Sequence, residues 1–175
     1  MTLLTFDSVS LDFGEQIILR DASFALQEGE RVCLIGRNGA GKSTLLKIVA
    51  GEQAYDRGEI KRKQDLTVSK LAQTLPTDLQ LSVAEYVRKG LAGINALIDQ
   101  YQHLAATHPT GAELQQLETL QRQIDAHGGW QAEQRVASVL SELDLPGERR
   151  LAELSGGWQR RAALAQALVC QPDLL

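Results

Sequence analysis

Two glycines five residues apart, followed directly by lysine and serine, constrain this chain more than any other feature of its sequence. They are Gly36 and Gly41, within residues 36–43. The preceding residues, 31–35, form a short apolar run of the kind buried as a parallel strand. The following residues, 43–50, have the spacing of an amphipathic helix. The sequence therefore predicts a strand, a glycine-rich loop and a helix in that order.

This loop has the chemistry of a phosphate site. Its glycines let the backbone curl so that successive N–H groups point into one concavity at a helix N-terminus, where the dipole favours anions. Lys42 adds a positive charge beside the β- and γ-phosphates, and Ser43 offers a hydroxyl to Mg²⁺, which prefers oxygen ligands. A nucleoside triphosphate with Mg²⁺ is the predicted ligand; the alternative is a glycine-rich turn with an exposed lysine. The predicted contacts are Gly36, Asn38, Gly39, Gly41, Lys42, Ser43 and Thr44.

The composition is that of a soluble globular domain, with 175 residues, 43% hydrophobic and 23% charged. No run approaches the roughly 20 apolar residues that cross a bilayer, and residues 1–10 lack the basic start and apolar core of a signal peptide. We therefore expect a cytoplasmic protein. The net charge of −4 provides no overall attraction to nucleic acid. Cys33 and Cys170 form no metal or redox pair in sequence and are predicted to be buried.

The first part of the chain alternates as strands do. Apolar positions recur at Leu11 and Phe13, in residues 17–19 and in residues 24–26, with Gly14 and Gly29 as breaks. Further strands are predicted at 31–35, at Ile60 and over 66–71. We expect residues 1–78 to form the nucleotide core, 79–150 a helical subdomain, and 151–175 a last motif with its helix.

Residues 83–145 carry helical periodicity instead. Residues 108–111, His-Pro-Thr-Gly, separate the first two periodic stretches and are predicted to form the tip of a helical hairpin. The apolar positions of the three stretches are Leu91, Ile94, Leu97, Ile98 and Tyr101; Leu114, Leu117, Leu120 and Ile124; and Val136, Val139, Leu140 and Leu143.

A second helix start follows at residues 154–157, Leu-Ser-Gly-Gly. An alanine-rich helix is predicted from there to about Cys170, with Ser155 placed to cap it. Alone, such a segment is a flexible helix N-terminus. Together with the phosphate loop, it resembles the ATP-binding cassette (ABC) superfamily, in which this tetrapeptide is the family signature.

The resemblance implies an α/β P-loop NTPase of the ABC type, with a mixed β-sheet core, an antiparallel β layer and a helical subdomain carrying a hairpin arm. It also implies that Phe13 stacks on adenine and that Gln73 contributes to the nucleotide and Mg²⁺ site. The alternatives are a core aromatic for Phe13 and a plain loop residue for Gln73.

Finer detail resembles the first cassette of the soluble ABC-F group, whose members carry two cassettes and no membrane domain. The matching segments are residues 30–45, 51–53, 65–66 and 155–158. The long interval from Gln73 to Ser155 matches the ABC-F arm, which reaches toward the ribosome, and Trp158 stands where many transporter cassettes carry glutamine. The resemblance implies a cytoplasmic ATPase that acts on the ribosome or on branched DNA. The alternatives are the ATPase subunit of a membrane transporter and a scaffold in which nucleotide only stabilises the fold.

In this superfamily two cassettes pair head to tail, so Ser155, Gly156 and Gly157 are expected to contact a nucleotide held by a second cassette. Hydrolysis also needs an Asp–Glu pair and a later histidine. Asp173 precedes the expected Asp–Glu strand, and His103, His108 and His127 precede the signature. We therefore expect no catalytic residue in this chain, a truncated and marginally stable cassette, and nucleotide binding without turnover.

Overall fold

The computed structural model describes residues 1–14, 16–107, 110–126 and 128–175, which divide into two compact units. The first unit comprises residues 1–68 with Leu174, and the second comprises residues 69–173 with Leu175. Among the described residues, no helix is both long and apolar enough to cross a bilayer.

The first unit contains strands β1 (Thr2–Phe13), β2 (Gln16–Gln27) and β3 (Arg57–Arg62) and helix α1 (Lys42–Val49). The strands form a three-stranded antiparallel sheet of order β2-β1-β3. The inward side chains of β1 alternate along the strand and pack on the last turn of α1 because a half-buried strand has one apolar face. The buried core is Leu4, Phe6, Val9, Leu11, Ile48 and Val49.

An irregularity in β1 keeps its apolar face turned inward. Ser8 has a left-handed backbone, with φ 52°, between the buried residues Phe6 and Val9. Gly58 of β3 lies against this point, because a Cβ there would come within 2.5 Å of the Ser8 carbonyl oxygen. The glycine therefore permits the close approach of two backbones at a bulge.

The structure corrects three strand predictions. Residues 17–19 and 24–26 belong to one strand, β2, and residues 66–71 form no strand beyond a parallel bridge between Val68 and Leu174. Residues 31–35 form no strand either: Val32 is 61% exposed, Ile35 is 88% exposed, and Cys33, predicted to be buried, is exposed. The physical reason is that a strand needs a hydrogen-bonded neighbour, and among the described residues no segment pairs with 31–35.

The second unit is helical, and the predicted helices are confirmed. Helices α3 (Ala92–Ala106) and α4 (Ala112–Ala126) pack against each other as the expected hairpin. His108 and Pro109, at the predicted tip of this hairpin, lie outside the described residues. One-turn 3₁₀ helices lie at Lys89–Leu91, Gly129–Gln131 and Leu151–Glu153. The other helices are α2 (Val83–Arg88), α5 (Ala132–Glu142) and α6 (Gly156–Leu168).

Small residues bring α6 close to α2 and the turn that follows it. Ala162 and Ala165 of α6 are completely buried in the same core as Val83 and Val87 of α2. At Gly90, a Cβ would fall 2.1 Å from the carbonyl oxygen of Gln166, a distance that no side chain can occupy. This packing fixes the helix that begins at the signature glycines.

Candidate functional site

The phosphate loop ends in a helix start whose N–H groups are free to bind a ligand. Gly41 precedes α1 with φ 85° and ψ 5°, and Gly39 has φ 81°. The first backbone bond of this helix runs from the Leu45 N–H to the Gly41 carbonyl oxygen, at 2.9 Å. The N–H groups of residues 42–44 therefore have no partner within the helix. Such groups, with the helix dipole behind them, form an anion site.

Lys42 places a positive charge at the rim of the loop. Its Nζ donates hydrogen bonds of 2.7 Å to the carbonyl oxygens of Gly36 and Arg37. The Arg37 carbonyl oxygen also accepts from the Ala40 N–H at 3.2 Å, which closes the turn. An ammonium has three donors, so one N–H of Lys42 remains for an anion. The ammonium group of Lys42 is thus already held in the loop when no ligand is bound.

The glycine requirement is sharpest at Gly41. Its positive φ favours glycine, and a Cβ there would lie 2.7 Å from Cγ2 of Ile18. β2 therefore packs directly against the loop. At Gly39, where φ is also positive, the space around a Cβ is open.

Helix α1 is fixed at its other end by a charged side chain. The guanidinium of Arg62 donates to the carbonyl oxygens of Val49 and Ile48, at 2.6 and 2.8 Å. Both carbonyls belong to the last turn of α1, where a cation is also favoured by the dipole, and that of Ile48 also accepts from the Gly51 N–H at 3.0 Å. The buried side chains of Ile48 and Val49 complete the anchor. The loop is therefore continuous with a helix whose far end is bonded to β3 of the sheet.

These residues fit MgATP. The free N–H groups and Lys42 suit phosphates, and Ser43 is exposed at the start of α1, where its hydroxyl is accessible to a cation. When bound, Mg²⁺ would neutralise phosphate charge beside that hydroxyl. The roles assigned to Gly36, Asn38, Gly39, Gly41, Lys42, Ser43 and Thr44 remain predictions supported by this geometry.

Two further sequence candidates are exposed. Phe13 is 49% exposed at the end of β1, so the alternative of a core aromatic is wrong. Gln73 lies in an exposed stretch of the second unit. The roles of both residues in binding adenine or Mg²⁺ stay predictions.

The signature forms the first turn of α6 in the second unit. Ser155 occupies the N-cap position with an extended backbone, φ −64° and ψ 159°, but its side chain makes no capping hydrogen bond. The predicted capping role is therefore wrong, and the hydroxyl stays available. A Cβ at Gly156 would meet nothing within 4 Å, and one at Gly157 would meet the Ser155 hydroxyl oxygen at 4.0 Å, an ordinary contact. The bare glycines leave the N–H groups of this helix start accessible to a large anion.

The side chain of Gln159 and a cation–π pair support this helix start, and sequence reasoning missed both. Gln159 Nε2 donates to the carbonyl oxygens of Leu151 and Leu154, at 3.0 and 3.2 Å. The Arg161 guanidinium carbon lies 4.5 Å from the ring centroid of Trp158. No local sequence pattern indicates the hydrogen bonds of Gln159. The three-residue spacing of Trp158 and Arg161 on a helix could have indicated the cation–π contact between them.

Comparison with known protein families gives a match over most of the chain. The model of the family described as ABC transporter matches residues 19–175. The chain is 40% identical over 178 aligned residues to the ATP-binding protein Uup of Haemophilus influenzae, covering 100% of this chain and 28% of that protein. It is 29% identical to the energy-dependent translational throttle protein EttA of Mycobacterium tuberculosis, covering 99% and 32%.

Solved structures show a similar fold. A crystal structure of the ADP conformation of an ATP-binding cassette of an ABC transporter superposes with a TM-score of 0.66 at 22% identity, covering 98% of this chain and 66% of that one. A putative metal-chelate type ABC transporter in an inward-facing conformation also superposes with a TM-score of 0.66, at 20% identity, covering 97% and 56%. The chain spans less than a third of the length of the Uup relative.

Proposed function

The chain belongs to the ABC transporter family of ATPase domains, and on that premise we propose that it is the ATP-binding cassette of a soluble ABC-F type ATPase that acts on the ribosome. The likeness to solved cassettes confirms the predicted α/β fold class. ATP binding is proposed from the geometry of the loop. The carbonyl oxygens of Gly36 and Arg37 hold Lys42, and the N–H groups at the start of α1 have no partner within the helix.

In the proposed mechanism, the loop binds the triphosphate of MgATP and the signature closes over a nucleotide held by a second cassette. Ser155, Gly156 and Gly157 would direct a hydroxyl, helical N–H groups and the positive end of the α6 dipole at the γ-phosphate, where charge builds during phosphoryl transfer. ATP thus favours the closed pair. Hydrolysis removes the γ-phosphate that both cassettes contact, so the pair reopens and hydrolysis acts as a switch.

The 175 residues are proposed to bind ATP without turning it over. Turnover is assigned to a pair of cassettes, because in the proposed mechanism the signature of each cassette closes over the nucleotide of the other. A second cassette is the proposed partner.

The helical hairpin α3–α4 and the relatives support the ABC-F branch. The hairpin is the feature that the resemblance assigns to the arm, and the name of the EttA relative refers to translation. Branched DNA is the second target that the resemblance suggested. A transporter subunit is the second candidate function, and it is favoured by the description of the matching family as ABC transporter.

The test uses the two-cassette protein that carries this chain. With a non-hydrolysable ATP analogue, we expect it to cosediment with ribosomes, and we expect Lys42→Met to abolish this effect, while the exposed α1 variant Lys47→Met retains it. Binding of a four-way DNA junction without ribosome binding would favour the DNA role. Cofractionation with a membrane protein would favour the transporter subunit.

A further inference from the structure

We propose that Gln159 is a positioning residue for the signature and holds Ser155 and the first turn of α6 in the orientation that meets the partner's nucleotide. This inference rests on the proposed function, because it assigns a supporting role within the same nucleotide-dependent pairing. Gln159 itself is not proposed to touch the nucleotide.

The geometry places the two bonds of Gln159 around Ser155. Its Nε2 donates to the carbonyl oxygen of Leu154, directly before Ser155, and to that of Leu151, in the 3₁₀ turn before it. Its backbone N–H donates to the Ser155 carbonyl oxygen at 2.9 Å. One residue therefore bonds the chain at three points around the signature serine.

The turn that accepts these bonds is itself fixed. The N–H groups of Leu151 and Ala152 donate to the carbonyl oxygens of Leu81 and Leu79, each at 3.0 Å. The Leu151 side chain is 0% exposed. The amide of Gln159 therefore ties the N-terminal end of α6 to a turn that is itself held by backbone hydrogen bonds and a buried side chain.

Ser155 depends on this support because its side chain makes no capping hydrogen bond. The two glycines after it give the backbone unusual freedom. The orientation of a group toward the reacting atoms strongly affects the reaction rate, and a displacement of about 1 Å can lower that rate roughly 100-fold. The amide bonds of Gln159, a side-chain clamp beside Ser155, would fix the orientation of Ser155 that the flexible glycines leave open.

The chemistry of the clamp requires a donor. Both acceptors are carbonyl oxygens, so the amide nitrogen must point toward them. Gln159→Glu keeps the size but replaces the donor by an anion that repels the carbonyls. Gln159→Met keeps the length and removes the donor, whereas Gln159→Lys retains a donor at similar reach.

The experiment measures ATP hydrolysis by the two-cassette protein with each variant. We expect Gln159→Glu and Gln159→Met to lower kcat by about tenfold with little change in the affinity for MgATP, and Gln159→Lys to recover most of the loss. Amide hydrogen exchange of residues 151–158 should rise in the first two variants. Arg160→Met, at an exposed position of the same helix, is the matched control and should behave as wild type.

Three outcomes decide the matter. If kcat falls and exchange rises as expected, with rescue by Gln159→Lys, the positioning role stands. If Ser155→Ala lowers kcat but the Gln159 variants match the Arg160→Met control, this inference is overturned and the proposed function survives. If Ser155→Ala has no effect on kcat, the signature is not used and the proposed function fails with it.

Discussion

The ammonium of Lys42 donates a 2.7 Å hydrogen bond to the carbonyl oxygen of Gly36, six residues earlier in the chain. The bond closes the phosphate loop on itself and places a full positive charge beside the free N–H groups of α1. A site whose charge is already oriented loses less free energy in reorganisation when an anion binds. This preorganisation supports the proposed assignment of the loop as a phosphate site.

Gly41→Ala should destabilise the chain by about 1–3 kcal/mol and weaken nucleotide binding, because it combines a strained positive φ with a clash. The clash is with Cγ2 of Ile18, 2.7 Å from the Cβ position. Thermal unfolding measures the loss. Gly39→Ala, with positive φ but open space, should lose less, and adding Ile18→Ala should recover the steric part of the Gly41→Ala loss. Equal losses at both glycines would refute this explanation.

Gly90→Ala should destabilise the helical unit by roughly 2–4 kcal/mol, because the added methyl group overlaps the Gln166 carbonyl oxygen at 2.1 Å and forces α6 away. Gly93→Ala, in open space within α3, is the control and should stabilise the chain by about 0.5–1 kcal/mol through helix propensity. Urea unfolding of the two variants gives the comparison. A Gly90→Ala protein as stable as wild type would show that α6 does not pack as described.

Acid should weaken the link between α2 and α5. The hydrogen bonds from the Arg88 guanidinium to Glu133, both 2.7 Å, lower the pKa of Glu133 below its ordinary value of 4.5. The pKa of Glu85 is also lowered, chiefly by the backbone N–H of Ser82 in the capping box. A carboxylate with a lowered pKa binds protons more weakly in the folded chain. Its contribution to stability is therefore complete above the ordinary value and is lost as the pH falls through the folded value.

Melting temperatures at a series of pH values test this link. Between about pH 5 and pH 3, the melting temperature of Glu133→Gln should fall less than that of the wild type. The difference should be only about 1–3 °C, because the Arg88–Glu133 pair is solvent-exposed and screened. Glu142→Gln, at an exposed acidic position in the last turn of α5, is the matched control. Identical pH profiles for wild type and Glu133→Gln would contradict the role of this ion pair.

Phe13→Ala should weaken ATP binding by about 3- to 10-fold through loss of stacking on adenine, with a negligible change in unfolding free energy because the ring is half-exposed. Titration with ATP and with inorganic triphosphate separates base from phosphate contacts. The triphosphate affinity should not change. A parallel loss for both ligands would instead indicate a disturbed loop.

The sequence could predict those elements whose signal is contained in their own residues. The apolar spacing of Leu114, Leu117, Leu120 and Ile124 predicted a helix, and α4 is present. The glycine and lysine spacing predicted the loop and the start of α1 in the same way. In both cases the determining interactions lie within about one or two turns of chain.

The remaining features depend on partners far along the chain. Residues 31–35 have a strand composition but no strand neighbour among the described residues, so the local pattern was insufficient. The Arg88–Glu133 pair joins residues 45 positions apart, and no local pattern selects it. The amide of Gln159 reaches a turn eight residues earlier, and only the packed fold reveals that contact.

The most direct test of the account is a MgATP titration of this 175-residue chain beside Lys42→Ala and, as a control on the same helix, Lys47→Ala. The account predicts Mg²⁺-dependent binding by the wild-type chain, at least about tenfold weaker binding by Lys42→Ala, and wild-type binding by Lys47→Ala. Equal affinities for the wild-type and Lys42→Ala chains would contradict the assignment of this loop as the nucleotide site.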